Sequence, residues 1–329
     1  MRHHQPRALL ALALNGKEDH LIRYAVDLCE RSKIDLELCH VVQNVSPYVY
    51  EGSYFPETLL PSENEDMLKK EAEDKLRAIL ERQDTDVICD CSVKVGWLEH
   101  SLVDHIKHRN ISLLITGRQR DYHSFLKRVT SSLVSLSKVC PVPVLVVPHE
   151  YNKPFPTDPK ILLADSMSGI TTSALNSAFQ LAKLLKNSKV FHVHVCEELR
   201  QDIELIPPEK FEMVFEALSE GQEDESFQEM IGHYLKTRMI ERCGDLQSLK
   251  HSGSEYEPIL LFGKTGEEIA AFHRKVSADI TVTGGHFKSL LTKLFYKNQL
   301  PFEDQVSSDS PVLIVPQKYQ EDVEFSLAA

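Results

Sequence analysis

No apolar run in this 329-residue chain approaches the ~18 residues of a membrane-spanning helix. The longest runs, such as Leu9–Leu14 and Pro143–Val147, are only of strand length. The opening residues, MRHHQPRALL, have no long apolar core followed by a small-residue cleavage site, so no secretion signal is expected there. Positive charge is also in deficit. Lys and Arg total 37 against 49 Asp and Glu, a net charge of −12. General nucleic-acid binding needs a basic surface and is not expected.

Cysteine pairing is lacking too. The seven cysteines (Cys29, Cys39, Cys89, Cys91, Cys140, Cys196 and Cys243) are odd in number, scattered, and mostly in apolar segments. They read as buried free thiols in a reducing compartment, and the expected location is cytoplasmic. Cys89-x-Cys91 has no second pair at zinc-finger spacing and reads as structural. There is no G-x-S-x-G elbow, so no hydrolase triad can be argued. Gly263-Lys264-Thr265 looks like the end of a P-loop, but the first glycine of that motif would fall on Pro258.

What is present is an ordinary globular composition, 42% apolar and 26% charged, long enough for about two domains. Ala8 to Leu14 is a continuous apolar run, the mark of a central parallel strand buried on both faces. Asp19 to Ser32 has helical spacing, and Ile34 to Gln43 alternates as a second strand. Ser62, with Glu65 three residues on, opens a long helix whose apolar stripe includes Met67, Leu68, Ala72, Leu76 and Ile79. Further strands are expected at Thr85–Val95, Ser112–Thr116 and Pro143–Val147, with helices at Leu98–His108 and Ser124–Val139. Trp97 is expected to pack. Strands alternating with helices imply a parallel sheet with helices on both faces.

After the proline-rich joint Lys153–Pro159 the pattern restarts. RALLALALNG from Arg7 matches KILLADSMSG from Lys160, and Leu36–Val42 matches Val190–Cys196. LLITG at Leu113 matches ITVTG at Ile280, and CPVPVLVVP matches SDSPVLIVP. Matches in the same order mark a duplication. In the second copy Pro208–Cys243 reads as a helical region with an acidic break at Gly221. Gly244–Glu257 reads as loop before a strand at Ile259–Phe262, and Lys318–Ala329 as a frayed tail.

Two units that each end in T-G, helix, P-V-L-x-V-P resemble the universal stress protein family in its tandem form. The resemblance runs from about Arg7 to Pro316. It implies an α/β fold of two tandem five-stranded parallel sheets in order 3-2-1-4-5, with helices on both faces (Rossmann-like). The domains would span residues 1–150 and 157–317, with 318–329 as a tail. It also implies that the two domains pair through their last strands, and leaves open a homodimer.

Nucleotide-binding members carry G-x-x-G, nine residues, then G-[ST] after the fourth strand, plus an Asp at the end of the first. The glycines let the backbone approach phosphates at a helix N-terminus. In the first half Gly117 is kept, but the next positions are Arg120 and Thr130-Ser131, and the Asp position falls on Ala13. In the second half Gly284 is kept, Phe287 takes the second glycine position, and the last pair falls on Lys297-Asn298. The Asp position there falls on Ser166, with Asp165 one residue away, and Gly285 is an extra glycine. The pocket candidates are therefore Ala13, Val41, Gly117, Arg118, Arg120, Thr130, Ser131, Asp165, Ser166, Gly284, Gly285, His286 and Asn298.

A basic cluster at Arg118, Arg120, Lys127 and Arg128 could offer charge to a phosphate, against the plainer reading of a solvated basic face. His192-x-His194 puts two imidazoles on one strand face, half of a zinc site, and reads first as structural. The expectation is a non-catalytic stress-response protein with degenerate nucleotide sites, no cofactor, and a protein partner or small ligand. The alternative is one retained ATP, ADP or phosphate pocket with slow ATP hydrolysis.

Overall fold

Ala8, Leu9 and Leu10 have no exposed surface, as expected for a strand covered on both sides. They lie in β1 (Arg7–Leu12), at the centre of the first of two compact units, Met1–Phe155 and Pro156–Gln317. In the computed structural model the described residues are 6–43, 63–118, 136, 139–149, 151–167, 172–197, 225–244, 246–284 and 310–316.

The first unit continues with α1 (Asp19–Ser32), β2 (Asp35–Val42), α2 (Glu63–Arg82), β3 (Ile88–Val95), α3 (Leu98–Arg109), β4 (Ile111–Arg118) and β5 (Val144–Pro148). Its strands lie in the order β3-β2-β1-β4-β5, all parallel. The second unit has β6 (Lys160–Ala164), α4 (Thr172–Leu185), β7 (Lys189–Cys196), α5 (Glu225–Arg242), α6 (Leu246–His251), β8 (Glu255–Phe262), α7 (Thr265–Val276), β9 (Ile280–Gly284) and β10 (Val312–Val315). Its order, β8-β7-β6-β9-β10, is the same 3-2-1-4-5.

The duplication extends to single backbone angles. Leu14 (φ 55) and Met167 (φ 60) take the same left-handed turn after the first strand of each unit. Gly96 (φ 141) and Gly263 (φ 131) leave the third strand in a conformation open only to glycine. Asn110 and Ser277 close the following helix in the left-handed region.

The structure departs from the expectations in four places. Trp97 does not pack: it is 77% exposed at the start of α3. Met67 and Leu68 also face solvent, so the buried stripe of α2 is Ala72, Leu76 and Ile79. The supposed loop before the third strand of the second unit holds α6, and β8 starts at Glu255. Pro258 is tolerated there because β8 is an edge strand of its unit, where a missing N–H costs no ladder bond. Finally, Cys89 is exposed and Cys91 half-buried, while the other five thiols are buried. The Ser62 cap, most of the helix expected at Ser124–Val139, the acidic break at Gly221 and the tail 318–329 lie outside the described residues.

Past β5 the chain folds back on α1. Tyr151 and Phe155, both buried, sit 5.5 Å from the Tyr24 ring, and the Arg31 guanidinium lies over Phe155. This aromatic anchor holds the first residues of the proline-rich joint on the first unit.

Candidate functional site

In a parallel α/β sheet, ligands bind outside the carboxyl ends of the strands. In the first unit the chain leaves β1 through exposed Ala13, and Glu18 turns its carboxylate back into the following turn. One oxygen accepts the Asn15 N–H at 3.0 Å and the other the Gly16 N–H at 3.1 Å. Glu18 is 9% exposed. Two backbone donors of the turn that follows β1 are thus filled by an anion of the chain itself.

Gly117 near the end of β4 has a packing reason to be glycine. A Cβ there would come within 2.9 Å of Cδ2 of Leu21, a buried side chain of α1. Val41 is buried in β2, and Arg118 closes β4. Arg120, Thr130 and Ser131 lie outside the described residues.

In the second unit the shared turn at Leu14 and Met167 aligns Ala13 with Ser166, and Leu12 with Asp165. Ser166 is exposed. The Asp165 side chain is fully buried and turned into the unit. Its Oδ1 accepts the Met167 N–H at 2.8 Å, and its Oδ2 lies 2.9 Å from Nε2 of His192 and 3.5 Å from Arg242. A carboxylate only accepts, so Nε2 of His192 donates to it, and Nδ1 lies 2.9 Å from the Tyr256 hydroxyl. Cys243 Sγ stands 3.7 Å from the same Nδ1 and donates to the Met239 carbonyl. Arg242 also donates to the Met167 carbonyl at 3.0 Å. Burial pushes the Tyr256 hydroxyl well above its usual range and the Cys243 thiol up to about 11. Both are therefore neutral, poorly nucleophilic groups.

His194 Nδ1 lies 3.0 Å from the Asp165 carbonyl, and His40 Nδ1 lies 2.8 Å from the equivalent Leu12 carbonyl. The two histidines thus do one structural job, fixing the end of the first strand of their unit. Among the described residues no group of three or more His, Cys, Asp or Glu is placed to hold a metal ion. Gly284 is buried at the end of β9, while Gly285, His286 and Asn298 lie outside the described residues. At Thr265 the first turn of α7 is also met by a carboxylate, Glu197 at 2.6 Å from the amide, where a P-loop would place phosphate.

Sequence reasoning missed a second buried cluster. Glu37 of β2, with no side-chain exposure, lies 2.6 Å from His105 Nε2 of α3 and within 3.5 Å of Arg7 and Arg109. Arg109 also pairs with Asp90. The Glu37 carboxylate is opposed by burial, yet His105 and Arg109 outweigh that and hold its pKa below the usual value of 4.5. In the second unit the corresponding residues are Phe191 and Phe272, packed edge to face at 5.7 Å. Conversely, Leu12 and Leu38 of the first unit stand where the second has Asp165 and His192. Each copy replaces one polar pair of the other with an apolar pair. No motif spacing could have shown this, because the partners are 68 and 27 residues apart.

The model of the universal stress protein family matches residues 6–148 and again 159–299. The chain belongs to the universal stress protein family. A universal stress protein from Archaeoglobus fulgidus DSM 4304 is similar in structure, with a TM-score of 0.60 and 14% identity. The match covers 94% of this chain and 96% of that one. A functionally unknown protein from Pseudomonas aeruginosa PAO1 is similar with a TM-score of 0.53 and 15% identity, covering 96% and 94%. At such identities the likeness is one of fold. No curated protein matches the chain. Two family matches in one chain make it a tandem universal stress protein, and no described helix is long and apolar enough to cross a membrane.

Proposed function

We propose that this tandem universal stress protein is non-catalytic, with degenerate nucleotide sites, and acts by binding a protein partner or small ligand. The observation that carries this reading is the Glu18 carboxylate seated on the Asn15 and Gly16 amides. A phosphate or ribose hydroxyl competing for those donors would have to displace a nearly buried anion of the same chain. Three further facts support the reading. Ala13 offers no carboxylate, Asp165 is committed to His192 and Arg242, and the retained Gly117 is accounted for by Leu21.

Calorimetric titration of the full chain with ATP or ADP and Mg²⁺ tests it. The expected result is no binding in the micromolar range, and a melting temperature that millimolar nucleotide does not move. Micromolar binding, or nucleotide that copurifies, would overturn it in favour of one retained pocket. In that event substituting Arg118 and Arg120 would locate the pocket in the first unit if binding fell.

A further inference from the structure

We propose that Asn15 is a site of spontaneous deamidation, with Glu18 taking the proton from the attacking Gly16 nitrogen. Asn15-Gly16 is the one Asn-Gly step in the sequence. Both residues are exposed, between β1 and α1 at the carboxyl end of the first sheet. Deamidation begins when the backbone nitrogen that follows an asparagine attacks the side-chain carbonyl carbon. That nitrogen must shed its proton. The asparagine side chain must lie back across the next peptide, and the following residue must not obstruct the approach.

The turn meets all three demands. The Gly16 N–H donates to Oε2 of Glu18 at 3.1 Å, so a carboxylate stands where the proton must go. Its other oxygen accepts the Asn15 N–H at 3.0 Å, which fixes the carboxylate in place. Oδ1 of Asn15 accepts the Lys17 N–H at 3.0 Å, an Asx turn that folds the side chain back across the Gly16 peptide. The same N–H stabilises the negative charge that gathers on Oδ1 during attack, as a donor in an oxyanion hole does. Gly16 has φ 78 and open space about it, since a Cβ built there would meet nothing within 4 Å. Asn110, also exposed and left-handed, is followed instead by the buried, branched Ile111.

In the reaction the Gly16 N–H proton passes to Glu18, and the nitrogen bonds to Cγ of Asn15. The tetrahedral carbon then expels its amide nitrogen, which takes the proton back from Glu18 and leaves as ammonia. Water opens the resulting cyclic imide at either carbonyl, giving aspartate or isoaspartate. The net change is water in, ammonia out and a carboxylate gained, with nothing oxidised or reduced. The isoaspartate product lengthens the backbone of the turn, and the new charge stands beside Glu18 and Asp19. In the second copy the matching positions are Ser168 and Gly169, and serine has no side-chain amide to lose.

The test incubates the full chain for weeks at neutral pH, folded and in urea. Peptide mass spectrometry follows each asparagine, and an isoaspartate methyltransferase assay detects the rearranged product. The expected result is that Asn15 converts before any other asparagine, and at least about tenfold faster in the folded chain than in urea. Glu18→Gln keeps an acceptor oxygen but removes the base. It should slow conversion of the folded chain at least about tenfold and leave the rate in urea unchanged. A folded rate no higher than the rate in urea, a folded rate that Glu18→Gln does not lower, or conversion led by another asparagine would overturn the proposal. If Glu18→Gln unfolds the protein, the unsubstituted chain with and without urea decides the matter.

Discussion

Gly117 illustrates how one residue can satisfy two explanations. It sits at the first glycine of a phosphate-binding pattern, yet its lack of a side chain is what lets Leu21 approach β4. If packing is its role, Gly117→Ala should destabilise the chain by about 1 kcal/mol in urea unfolding, because the added carbon strains a filled core. A glycine kept for a ligand would instead give an alanine variant of unchanged stability. Asp165 makes a similar point. One position along from the family's carboxylate, it faces inward, because an odd or even place on a strand decides which side of the sheet a side chain joins.

At the scale of elements, each unit carries a buried polar pair that bridges secondary structures. Glu37 ties β2 to α3, and its pKa is depressed. A depressed carboxylate contributes stability that is complete above its unfolded pKa and is lost as pH falls through the folded value. Stability measured by urea unfolding from about pH 6 to about pH 3 should therefore fall more steeply in the natural protein than in Glu37→Gln. The variant should already be the less stable at neutral pH. In the second unit His192 joins β7 to Asp165 at the end of β6 and to Tyr256 of β8. His192→Leu alone should cost about 3 kcal/mol, since it leaves the buried Asp165 without its nearest side-chain partner. Adding Asp165→Leu recreates the Leu12 and Leu38 arrangement of the first unit. The double variant should lose less than the sum of the single ones by at least about 1 kcal/mol in a double-mutant cycle. Additive losses would mean the pair is not coupled.

At the scale of the whole molecule, the net charge of −12 opposes association with any polyanion. In a gel-shift assay at low salt, the chain should leave duplex DNA unshifted. Retention that weakened steeply with added salt would reveal a basic surface that the overall charge conceals.

The architecture was legible in the sequence because it is written in local pattern. Strand-length apolar runs, helical stripes and their repetition from Arg7 and again from Lys160 were enough for two parallel α/β units, and the family resemblance added the order 3-2-1-4-5 that each unit has. Departures from the family's glycine pattern at Arg120, Thr130 and Phe287 could be read for the same reason, as the positions compared are consecutive or nearly so. The contacts that surround the carboxyl end of the first sheet were not legible. Glu18 reaching back to Asn15 and Gly16, Leu21 leaning on Gly117, and His20 meeting His149 each depend on where the chain turns and which way a side chain points. Composition and spacing determine which elements form, because burial and hydrogen bonding act residue by residue along the chain. Only the tertiary structure decides which charged groups meet, because their pairing depends on distances through space between residues far apart in sequence.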